Sequence, residues 1–114
     1  MNHKSNCMAT KLSYLPLYII HQNEIYKNHI LSIDNLDITI IPFEHECEAT
    51  KFISNAIIIT TQDFANHIPH LPTIDHTYKN LRILTDYLLE NNLYHKNDKE
   101  PTLVSAGPSG YNIL

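Results

Sequence analysis

Hydrophobic and polar positions alternate through roughly the first sixty residues and then change to a longer period, the signature of a strand-rich half followed by a helix. Tyr14–His21 (YLPLYIIH) has the aromatic and β-branched composition of a strand, and Pro16 marks a strand start, an edge position or a bulge. Asn23-Glu24 turns the chain into Ile25-Tyr26. His29–Ile33 alternates, Asp34-Asn35-Leu36-Asp37 reads as a hairpin turn, and Ile38–Ile41 stops at Pro42. Glu44–Thr50 is a polar connection. Lys51–Ile53, a turn at Ser54-Asn55 and Ala56–Thr60 complete an expected set of about four or five antiparallel strands.

Beyond Thr61 the spacing becomes helical. Thr60 or Thr61 can cap a short helical turn reaching Ala65 or His67, which Ile68-Pro69 and Leu71-Pro72 then break. Thr73 or Asp75 is expected to cap the one long helix, about residues 76–91 from His76 to Asn91. Its apolar stripe is Leu81, Leu84 and Leu88, widened by Tyr78 and Leu89. Burying three leucines at roughly 2 kcal/mol each is enough to dock such a helix on the sheet. Asn91-Asn92 supplies the stop, because asparagine tolerates the left-handed capping position. Lys96–Pro101 reads as a linker and Thr102–Ala106 as a final strand. The expected organisation is a flexible leader over residues 1–10, one small α+β domain over 11–106, and a loose tail over 107–114.

Composition narrows the choice of function. The chain has 114 residues, 43% hydrophobic and 18% charged, with a net charge of -4, which fits a single domain with a core rather than a disordered segment. The basic side chains are Arg82 and scattered lysines, without the clustered face that nucleic acid requires. No apolar run approaches the length of a membrane span. The polar start carries no signal-peptide core, so a cytoplasmic location and reduced thiols at Cys7 and Cys47 are expected. Gly107 and Gly110 are the only glycines, which excludes a phosphate-cradling loop and leaves turns to asparagine, with Asn23, Asn35 and Asn55 placed between apolar runs.

Asn28–Phe43 (NHILSIDNLDITIIPF) and Ala49–Thr60 (ATKFISNAIIIT) resemble the small composite β domain that opens many amidohydrolase-family proteins. There a hairpin of the type ADILIEDGKIVAIGP precedes a strand pair leading to PGLIDxHxH. Glu100–Ala106 (EPTLVSA) is similar to that family's late segment ADLVVLD. The resemblance covers residues 13–61 and extends to 100–106. It implies a composite β domain without the metal-binding barrel, because no Pro-Gly or His-x-His follows Thr60 and the remaining chain is too short for eight barrel units. It therefore brings no catalytic residue to this chain.

Two segments have residue types suited to zinc. His67, His70, Asp75 and His76, with Asp63 upstream, form a histidine-rich stretch, though Pro69 and Pro72 prevent one helical face from collecting them. In extended chain, His45 and Cys47 share a face opposite Glu46 and Glu48, which makes half a site. Cys47 with a distant histidine could serve a small hydrolase, but no base, orienting group or oxyanion motif accompanies it, and neither Ser105 nor Ser109 lies in a nucleophile elbow. The leading expectation is a non-catalytic cytoplasmic domain with no bound cofactor, acting through self-association or another protein partner and not through nucleic acid or membrane. The alternative is a zinc-binding module or small hydrolase using residues 63–76.

Overall fold

The structure, a computed structural model, describes residues 12–44, 50–75 and 77–114. Seven strands make one sheet: β1 (Leu12–His21), β2 (Glu24–Lys27), β3 (His29–Asp34), β4 (Asp37–Pro42), β5 (Thr50–Thr60), β6 (Thr102–Gly107) and β7 (Gly110–Ile113). Among the described residues one helix, α1 (Tyr78–Glu90), follows two short 3-10 turns, Gln62–Asn66 and Ile68–His70. The class is mixed α+β. The strand order is β4-β3-β1-β5-β6-β7, with β2 also paired to β1.

The first half is not purely antiparallel, as the alternation suggested. β1 and β5 run parallel at the centre, and every other pairing between named strands is antiparallel. Ala56, Ile57, Ile58 and Ile59 are fully buried in succession, the pattern of a strand covered on both faces. Nor does the chain turn at Ser54-Asn55. β5 runs through, because the two residues supply an irregularity within the strand rather than a hairpin. The expected loose tail is also corrected. Pro108 and Ser109 turn the chain so that β7 pairs with β6, and the Leu114 amide donates to the Leu103 carbonyl.

Irregularities cross the sheet in one line. β2 and β3 hold a single register against β1, with Tyr18 facing Lys27 and Tyr14 facing Leu31, interrupted at Asn28, whose φ is 61°. On the other side β5 takes an extra residue where β1 passes from Pro16 to Tyr18. Proline has no amide hydrogen for the ladder, so the sheet bulges there. The sheet also folds back. A flat ribbon of this register would hold the β3–β4 turn roughly 30 Å from His21, nine residues along β1. Instead Leu36 and Asp37 of that turn share a cavity wall with His21. Strands that bend at bulges make such corners.

Each face has its own core. Ile20, Ile58 and Val104 form one buried cluster with Leu81, Leu84 and Leu88 of α1, and Phe64 of the first 3-10 turn joins it. The second cluster, around Ile19, Leu31, Ile57 and Ile59, is built among the described residues from strands alone, with Ile38 and Ile40 of β4 packed against it.

Helix α1 begins two residues later than its pattern predicts. Thr77 is its cap, accepting from the Asn80 amide at 3.3 Å, in place of Thr73 or Asp75. His76 lies outside the described residues. At the other end Asn92 takes φ 56°, as the stop signal required.

Candidate functional site

The histidine-rich segment does not form a site among its described residues. His67 Nδ1 lies 2.8 Å from the Tyr87 hydroxyl, and its Nε2 lies 3.5 Å from the Asp63 carboxylate. Both ring nitrogens therefore have protein partners. His70 is exposed on the second 3-10 turn. Asp75 accepts from the Thr77 amide at 3.1 Å and the Asn80 carboxamide at 2.7 Å. These donors, the Thr77 amide foremost, hold its carboxyl below the usual carboxylate range. His45 and Cys47 lie, with His76, outside the described residues.

A different pair of histidines comes together. His21 closes β1, and His95 follows α1 in a segment pinned to the sheet. The Thr60 hydroxyl donates to the Leu93 carbonyl, and Gln22 donates its carboxamide to the His95 carbonyl at 3.2 Å and to Asn97 at 3.1 Å. Gln22 takes φ 58°, a costly conformation for a long side chain, at the first position of the two-residue turn between His21 and Glu24. The rings of His21 and His95 are 5.7 Å apart and tilted by 34°. His95 is 2% exposed. Its Nε2 lies 2.8 Å from the Lys99 carbonyl, which can only accept, so Nε2 carries the proton and Nδ1 of the neutral ring keeps its lone pair.

His21 Nε2 and His95 Nδ1 are both buried with no hydrogen-bond partner among the described residues. A buried polar atom left in that state costs on the order of 1–3 kcal/mol. Burial first, and the His95 imidazole second, push the His21 pKa below the usual imidazole value. The two histidines line a cavity of about 290 Å³ with Leu36, Asp37, Ile38 and Asn97. The pair was invisible in the sequence because the segment after α1, held beside β5 by the Thr60–Tyr94 bridge, brings together residues far apart along the chain. Only the orphaned nitrogens mark it.

A second feature lies on the outer face of the folded-back half. Alternation puts Ile41, Ile30, Leu15 and Phe52 opposite the Ile38, Leu31, Tyr14 and Ile53 side. Ile41 pairs with Ile30 and Leu15 with Phe52, and extending the Tyr14–Leu31 register by one step sets Leu15 beside Ile30. The four form a row across β4, β3, β1 and β5. Ile41 is 46% and Phe52 65% exposed at the two ends of the row, while Ile30 is buried and Leu15 half-buried between them. Phe43 and Leu17, also exposed, occupy neighbouring positions of β1 and the chain just past β4.

No protein-family model, curated protein or solved structure matches this chain. Among the described residues no helix is long and apolar enough to cross a membrane.

Proposed function

We propose that the chain is a non-catalytic cytoplasmic domain that associates with a second copy of itself through the outer face of its folded-back half. The observation that carries this reading is the apolar row ending in the exposed Ile41 and Phe52. Large side chains exposed on one face and joined by buried or half-buried apolar neighbours are what an interface covers, whereas scattered ones need no explanation. The resemblance of residues 13–61 to the composite β domain of amidohydrolase-family proteins belongs to the same proposal, as a β domain working without a catalytic barrel. A zinc module or hydrolase built on residues 63–76 would have to release His67 from Tyr87 and Asp63, and Asp75 from Thr77 and Asn80.

Size-exclusion chromatography with light scattering tests the proposal. The expected result is a multiple of 13.2 kDa that falls to the monomer mass in a Phe52→Asp, Ile41→Asp variant with an unchanged circular dichroism spectrum. A wild-type chain that stays monomeric at every accessible concentration overturns it.

A further inference from the structure

We propose that His21 Nε2 and His95 Nδ1 together bind one divalent ion of the zinc class in the cavity between β1, the β3–β4 turn and the segment after α1. This is independent of self-association, since the cavity and the apolar row involve different residues.

Three observations converge. First, the two nitrogens are the buried side-chain atoms left without partners among the described residues, and they belong to adjacent rings on one cavity wall. Second, the spacing suits one ion. Imidazole nitrogen binds zinc at about 2.0–2.1 Å, which puts each ring centroid about 3.2 Å from the metal and two centroids about 5–6 Å apart at tetrahedral or slightly wider angles. The observed separation is 5.7 Å. A direct ring-to-ring hydrogen bond of about 2.9 Å would bring the centroids to about 5.2 Å when collinear. Third, His95 is braced as ligand histidines are: its other nitrogen donates to a backbone carbonyl, which fixes the tautomer and leaves the Nδ1 lone pair free.

Two imidazoles are half of a four-coordinate shell. Among the described residues no three His, Cys, Asp or Glu side chains converge as a complete metal site. Positions facing the cavity are therefore filled by water, with Asp37 on the same wall supplying negative charge. Zinc-class ions suit this donor set, because imidazole favours them whereas calcium and magnesium require an oxygen cage.

The test is titration of metal-stripped, nitrogen-15-labelled protein with Zn²⁺, following the histidine ring nitrogens by NMR. His21 Nε2 and His95 Nδ1 are expected to move into the metal-bound range while His95 Nε2 keeps its proton. A His21→Gln variant should lose affinity by at least about tenfold, and a His67→Gln variant should keep it. Zinc uptake that leaves both ring nitrogens unmoved, or that survives His21→Gln in full, overturns the proposal as an adventitious ion only. Because the wild-type spectrum names the nitrogens, the outcome stands even if a variant fails to fold.

Discussion

Among the described residues, four other than glycine take positive φ: Gln22, Asn28, Asn35 and Asn92. Three are asparagine, whose short carboxamide tolerates this region best among side chains. The glycine at 107 has a different reason to be small. A Cβ there would overlap the Asn55 carboxamide, whose nitrogen donates to the buried Ser105 hydroxyl at 3.1 Å. Gly107→Ala must displace Asn55 and break that bond. The expected loss is about 1–2 kcal/mol, read from urea unfolding. In an Asn55→Ala background the same change should cost less, because the obstructing carboxamide is gone.

At the scale of elements, the entry to α1 is organised by Asp75 and Thr77. The Asp75 carboxylate is stabilised in the folded state, so its contribution is complete above the ordinary carboxylate pKa of about 3.9 and disappears as pH falls through the lower folded value. Asp75→Asn should flatten the acid limb of a plot of urea midpoint against pH and leave the neutral region nearly unchanged. The helix itself was readable in the sequence from the spacing of Leu81, Leu84 and Leu88, and the β3–β4 hairpin from Asp34-Asn35, because both signals are local. The parallel pairing of β1 with β5 was not. Parallel partners are chosen by burial on both faces, and the apolar run Ala56–Ile59 fits a hairpin strand equally well until its neighbours are known. The turn expected at Ser54-Asn55 failed for a related reason. Its polar residues mark a bulge, and sequence alone does not separate a break in a strand from a break between strands. The histidine-rich segment drew attention by composition, whereas His21 and His95 gain meaning only from desolvation, which no spacing records.

For the whole molecule, the decisive feature is the line of irregularities through Pro16, Asn28 and Ser54-Asn55. β5 needs its additional residue to keep Ile53 and Ile57 on the face shared by Tyr14 and Ile19. Deleting Ser54 would push one half of β5 out of phase and turn buried isoleucines outward. We expect such a deletion to abolish cooperative thermal unfolding, while Ser54→Ala, which keeps the residue count at an exposed position, should be tolerated. Calorimetry on the two variants would measure the contrast.

The fold-back at Pro16 also has a thermodynamic corollary. His21 and Asp37 are neighbours only while the corner is closed, so any guest touching both walls binds the closed form and not an opened one. By linkage, its affinity is reduced by the work of closing the hinge, and its presence disfavours the open form to the same free-energy extent. Hydrogen exchange in β3 and β4, measured with and without such a guest, reports that coupling directly.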